Sequence, residues 1–249
     1  SSWAISTVLT AAMLPLTPSA TRTPSSIPPV RCPVLKGGPV GEVIKAWHKV
    51  KPLKNISLKE AEDQAVNYVV KRIKEKGQLK EGAEYILNFF YNKKLKIALA
   101  SSSYRKVIKT VLDKFRLNNY FQVIHSSEED NYGKPHPEIY IKTLKQLGEE
   151  PINCLCFEDS ENGLIAAKAA RLKTVALPAP EDRNNKTFYL AEFKLKSLSE
   201  FSQEIWQKIN NQKSQKGSGY KKLFQLIGFN LAKMSKGLDK YIKKSNKEK

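Results

Sequence analysis

An α/β fold built on an open, parallel sheet is predicted by three observations. Short apolar runs at 95–100, 121–125, 154–157 and 172–177 have the length and bulk of strands buried on both faces. Amphipathic segments of helical period lie between them. Three polar clusters follow the runs: Ser101-Ser102-Ser103, Gly133-Lys134-Pro135 and Glu158-Asp159-Ser160. In such a sheet ligands bind beyond the carboxyl ends of the strands, where these hydroxyls, the lysine and the acid pair would project together. A hydroxyl, a fixed cation and two adjacent carboxylates suit a phosphate group accompanied by a hard divalent metal.

Taken in order, residues 1–33 hold six Ser, five Thr and six Pro with no lasting periodicity, and are expected to lack a fixed fold. The segment has no acid before Glu42 and resembles a transit peptide or a wrongly joined start, which points to a cytoplasmic or organellar protein. Residues 34–93 read as a remnant helical cap. Val43, Ile44 and Trp47 share a face, Ser57 can cap a helix through Ala61, Ala65, Tyr68, Val69 and Ile73, Gly77 ends it, and a further helix covers 83–91. The core spans 94–209. Its first strand ends in the three serines, which can cap the helix through Val107, Ile108, Val111 and Leu112; the same hydroxyl and the free N–H groups at that helix's start can hold a phosphate oxygen. Lys134 is fixed between Gly133 and Pro135 ahead of a helix through Ile139, Tyr140 and Leu144. Glu158 and Asp159 stand where an apolar strand ends, and Asn162-Gly163 with the small residues Ala166 to Ala170 permits close packing beneath them. A last core helix carries Leu198, Phe201, Ile205 and Ile209; 210–219 is a polar linker. Residues 220–249 form a basic amphipathic helix with a stripe from Tyr220 to Tyr241.

The net charge of +19 invites a nucleic-acid partner, but its distribution argues against one. Residues 1–41 contribute +3 and 213–249 contribute +9, which leaves +7 for the 171 residues between. The basic tail suits an anionic membrane surface, an acidic partner or docking on its own core. Three cysteines make no disulfide framework, and Cys154 and Cys156 alternate onto one strand face as packing residues. No apolar run in the sequence reaches the roughly 18 residues of a membrane span. There is no G-x-S-x-G, Walker A loop or zinc-spaced Cys/His set, and His48, His125 and His136 are scattered without evident partners.

Leu99-Ala100-Ser101-Ser102-Ser103, Gly133-Lys134-Pro135-His136-Pro137 and Phe157-Glu158-Asp159-Ser160, with Asn162-Gly163 behind, resemble motifs two, three and four of the haloacid dehalogenase superfamily. The likeness is to its β-phosphoglucomutase-like branch, and within it to 2-deoxyglucose-6-phosphate and hexitol phosphatases. Pro178-Ala179-Pro180-Glu181 is similar to that group's later core, and the resemblance covers about residues 40–202. It implies a Rossmann-like three-layer sandwich with a small helical cap, and Mg²⁺-dependent hydrolysis of a small phosphorylated metabolite such as a sugar or polyol phosphate. By the same resemblance Ser101 holds the transferring phosphoryl with help from the Ser102 amide, and Lys134 neutralises charge on phosphate and nucleophile. Glu158 and Asp159 hold Mg²⁺ directly or through water. The family's nucleophile is an aspartate, first of a D-x-D pair on the first strand, whose second aspartate is the general acid and base. No Asp precedes Asp63 here, and Pro39 stands where relatives place a substrate-gripping arginine. The expectation is therefore a sheet missing its first strand and a chain inactive as written. The alternatives are a non-catalytic pseudophosphatase that binds a phosphorylated metabolite, or a sugar phosphomutase in a fuller form.

Overall fold

The structure is a computed structural model. It describes the backbone of residues 4–7, then residues 41, 44, 45, 48, 49, 52 and 55–211. Six parallel strands form one sheet in the order β3-β2-β1-β4-β5-β6, with β1 at Ala4–Thr7, β2 at Lys96–Ser101, β3 at Val123–Ser126, β4 at Cys154–Glu158, β5 at Lys173–Ala176 and β6 at Phe193–Lys194. The helices between them are α1 (Leu58–Lys76), α2 (Ala83–Tyr91), α3 (Arg105–Lys114), α4 (Glu138–Leu147) and α5 (Glu161–Ala169). Helical residues also occur at 41, 44, 45, 48 and 49.

The α/β sandwich is as expected, but its sheet is not short of a strand. Ala4–Thr7 lies at the centre, in register with β2 on one side (Ala4 opposite Lys96, Thr7 opposite Leu99) and β4 on the other (Ala4 opposite Cys154, Thr7 opposite Phe157). The reason is backbone satisfaction. An empty slot between β2 and β4 would leave two rows of buried amide and carbonyl groups unpaired, whereas any short extended segment satisfies both. The remainder of 1–33, and the tail at 220–249, lie outside the described residues.

Strand β4 is buried along its whole length and β2 from its second residue, and their alternate side chains feed two cores. One face joins Ala98, Ala100, Cys154 and Cys156 to Ile139, Tyr140, Leu144 and Leu147 of α4 and Ala166 and Ala167 of α5, so the two thiols are packing residues. On the other face Phe90, Phe157 and Phe201 meet with ring centroids 5.2–5.8 Å apart. Such pairs add about 0.5–1.5 kcal/mol each beyond the area they bury.

Helix α1 starts at a reciprocal capping box, in which Ser57 Oγ accepts from the Glu60 amide while Glu60 accepts from the Ser57 amide, and it stops at Gly77 as expected. It leans on α3, whose Lys114 ammonium donates to the carbonyls of Ile73, Lys74 and Gly77 and so satisfies orphan acceptors at the α1 terminus. Helix α2 was assigned by sequence to the cap. Instead its buried residues Ala83, Ile86, Leu87 and Phe90 pack against β2 and the aromatic cluster, because its apolar stripe is broad enough to cover a sheet face. The last expected core helix is broken: Leu198–Glu200 is a 3₁₀ turn and Phe201 is extended. Residues 203–211 are helical and fall in a second unit, Ser202–Lys249, so the helix runs two residues into the expected linker. Among the described residues no helix is long and apolar enough to cross a membrane.

Candidate active site at the carboxyl ends of the strands

Strand β4 ends at Glu158, which is fully buried, and the Glu158 carbonyl is tied to the neighbouring parallel strand by the Leu177 amide, just past the end of β5, which donates to it at 2.7 Å. The next turn is closed by Ser160, the N-cap of α5. Its hydroxyl accepts from the Gly163 amide at 3.1 Å and donates to Glu158 Oε2 at 3.2 Å. Gly163 is required at this point: a Cβ there would stand 2.1 Å from Glu158 Oε2. The small residue thus lets the helix start sit directly on the carboxylate.

Lys134 arrives on the loop between β3 and α4, ahead of the Pro137 N-cap, and its peptide bond to Pro135 is cis. Its side chain is 4% exposed and its Nζ donates to Glu158 Oε1 at 2.5 Å and to Tyr140 Oη at 3.0 Å. Tyr140 Oη itself donates to the same Oε1. An ammonium can be buried in this way only because its charge is paired and its protons are placed on acceptors. Tyr140 is fully buried, and burial, followed by the neighbouring Cys156 and Glu158, pushes its phenol far above the ordinary range, so it is a fixed neutral donor. Burial and Glu158 likewise push the Cys156 thiol up, which leaves it inert.

The sequence places Asp159 beside Glu158 as a co-ligand, but the structure gives it a different partner: Lys80 Nζ lies 2.8 Å from Asp159 Oδ2. Both acids of the pair therefore face a lysine. Among the described residues there is no group of three His, Cys, Asp or Glu able to hold a metal ion. Two carboxylates, each already neutralised by an ammonium, fall short of the oxygen-rich set that Mg²⁺ takes.

Ser101 is buried at the end of β2, with its Oγ accepting from the Ser103 amide at 3.1 Å. The turn is tied to β3 by Ser126 Oγ, which donates to the Ser103 carbonyl at 2.8 Å. Ser102 Oγ is buried without a hydrogen-bond partner, a free polar atom at the crevice-facing turn. Ser101 and Glu158 are not in contact. Strand β1 separates β2 from β4, so they stand about 10 Å apart across the crevice, two strand spacings. The N-terminus of α3, expected to be free for a phosphate oxygen, is already engaged: the Arg105 amide donates to Glu128 Oε2.

Lys80, Tyr140 and the His125 cluster were missed by sequence reasoning. Tyr140 looked like one more apolar-face residue of α4. Lys80 sits in a connection with no periodicity, 79 residues from its partner. His125 is not without a partner: it is buried, with Nε2 2.9 Å from Asp130 Oδ1 and Nδ1 3.3 Å from Gln146 Nε2. Lys142 completes that cluster at 3.1 Å from Asp130. The only signal in the sequence was the acidic run Glu128-Glu129-Asp130 next to it. A separate groove of about 520 Å³, lined by Tyr91, Lys94, Lys96 and Gln122, lies at the amino end of β2, away from these groups.

A six-stranded parallel sheet with a hydroxyl turn, a buried lysine and an acid pair at its carboxyl ends defines a ligand-binding crevice of the open α/β kind. The family model for haloacid dehalogenase-like hydrolases matches residues 39–171. Hexitol phosphatase B of Escherichia coli K12 is 34% identical over 160 residues, covering 64% of this chain and 72% of that protein. Two crystal structures share the fold at 23% identity. One is CbbY from Rhodobacter sphaeroides in complex with phosphate, with a TM-score of 0.62 over 66% of this chain and 75% of the other. The second is β-phosphoglucomutase from Clostridium difficile, with a TM-score of 0.59 over 72% and 80%. The chain belongs to the haloacid dehalogenase-like hydrolases.

Proposed function

We propose that the crevice is built for a phosphate monoester of a small metabolite, a sugar or polyol phosphate, and that the family reaction at this site is its hydrolysis. The observation that carries the reading is Lys134, a buried cation held on Glu158 and Tyr140 at the strand ends. It places an ammonium, paired with Glu158, at the strand ends where a phosphate dianion would sit, and across the crevice the Ser101-Ser102 turn offers hydroxyl and amide donors. The 34% identity to a hexitol phosphatase supports the substrate class. Mg²⁺, general among phosphatases of this family, would face Glu158 and Asp159 from the crevice, but these two acids alone do not make its site, and no step is routed through it.

What the described residues do not supply is the nucleophile. β1 carries Ala-Ile-Ser-Thr, and no aspartate precedes Asp63. Removing one member of a catalytic unit costs on the order of 10⁶ in rate where it has been dissected in a protease. Residues 1–249, taken by themselves, are therefore expected to position a phosphate ester without supplying the group that attacks it. The test is a panel of hexose and hexitol 6-phosphates with Mg²⁺. No turnover is expected from the chain as it stands. Turnover should appear when residues 1–7 are replaced by a D-x-D strand from a relative, and disappear again on adding Lys134→Ala. Hydrolysis by the unaltered chain that survives Lys134→Ala would overturn the assignment.

A further inference from the structure

We propose that Lys80 is a built-in counter-cation that, together with Lys134, takes the place of the divalent metal at Glu158 and Asp159 and suppresses metal binding there. The inference rests on the reading of these two acids as the cation-facing pair of the site. Three observations carry it. Lys80 Nζ is 2.8 Å from Asp159 Oδ2, and the two side chains are 26% and 17% exposed, so the pair is sheltered from screening by solvent. Both oxygens of Glu158 are already committed, Oε1 to Lys134 and Tyr140, Oε2 to Ser160. The two acids and two lysines sum to zero charge, and no third acid of the described residues joins them.

A divalent cation approaching Asp159 would meet the Lys80 ammonium at the oxygen it needs. It could bind only by displacing that charge, which leaves the lysine in a partly buried place without its partner. Hard cations gain affinity from the number of anionic oxygens available to them, and Lys80 removes one. Its position, on the connection entering α2, is outside the motifs that carry the family resemblance.

The test uses Mn²⁺ alone with the full chain, reading free ion by electron paramagnetic resonance, so it holds or fails independently of whether the chain binds or hydrolyses a phosphate ester. The unaltered chain should bind Mn²⁺ weakly, with an affinity that Asp159→Asn does not change. Lys80→Met should tighten binding by about tenfold or more, as removal of a unit charge next to the ion predicts. Adding Asp159→Asn should erase the gain, and Lys80→Arg, which keeps the charge, should leave binding weak. Binding by the unaltered chain that Asp159→Asn abolishes, or a Lys80→Met chain no tighter than its parent, would overturn the proposal.

Discussion

Glu158 owes its position to a residue with no side chain. Because a Cβ on Gly163 would fall within the carboxylate, Gly163→Ala must push α5 away from β4 or force Glu158 off Lys134 and Ser160. Either movement disturbs a buried ion pair and a tight helix-to-sheet contact, a combination that costs about 2–4 kcal/mol. Urea denaturation of Gly163→Ala should show a loss of that size with an unchanged m-value. A loss under about 0.5 kcal/mol, the range of neutral surface changes, would mean that the carboxylate has room to spare. At this scale the sequence was legible where chemistry clusters locally. Ser101, Lys134 and Glu158 stand out as polar groups at the ends of apolar strands, and Gly163 as the small residue beneath. Lys80 and His125 were not legible, because their partners are fixed by tertiary packing that no local pattern encodes.

Among the elements, α4 shows how a helix start is tied to the loop carrying the lysine. Glu138, in its first turn, accepts from the Asn131 and Tyr132 amides and pairs with Lys142 at 2.7 Å. The Lys142 hydrogen bond, with help from the two amides, holds the Glu138 carboxyl down at about 2 against an ordinary 4.5. A carboxyl depressed in the folded state contributes stability that is fully present above its unfolded value near 4.5. That contribution is lost as pH falls through about 2. The Asn131 and Tyr132 amide resonances should therefore titrate together with a midpoint near 2, and Glu138→Gln should flatten both curves. A midpoint near 4.5 would show that the clasp does not form in solution. Elements were legible in proportion to their internal pattern. α1, with its Ser57 cap and Gly77 stop, and α2, at 83–91, match their expected bounds, while the helix expected from Leu198 onward breaks because the aromatic cluster takes Phe201 in an extended conformation.

For the whole molecule the decisive piece is β1. Four residues within a Ser-, Thr- and Pro-rich segment carry no strand signal of their own, so the sequence pointed to an empty place where the sheet has a paired strand. Its tenancy is decided by the backbone groups of β2 and β4, not by local propensity. The amides of Ile5 and Thr7 should then exchange with solvent as slowly as those of Leu155 and Phe157. Deleting residues 1–7 should speed exchange in β2 and β4 more than in β5. Fast exchange at Ile5 in the intact chain would remove β1 from the sheet.

The register of β1 also governs how the chain reaches its fold. Ala4 lies in register with Cys154, a partner 150 positions further along. Closing so large a loop is entropically late, and rates fall as such distant pairings come to dominate a topology. Until it closes, β2 and β4 each present an open, apolar edge to any extended peptide nearby, which is the usual entry point for misassembly. On the ribosome β1 emerges well before β4, and it has to wait for that strand before the middle of the sheet can be completed.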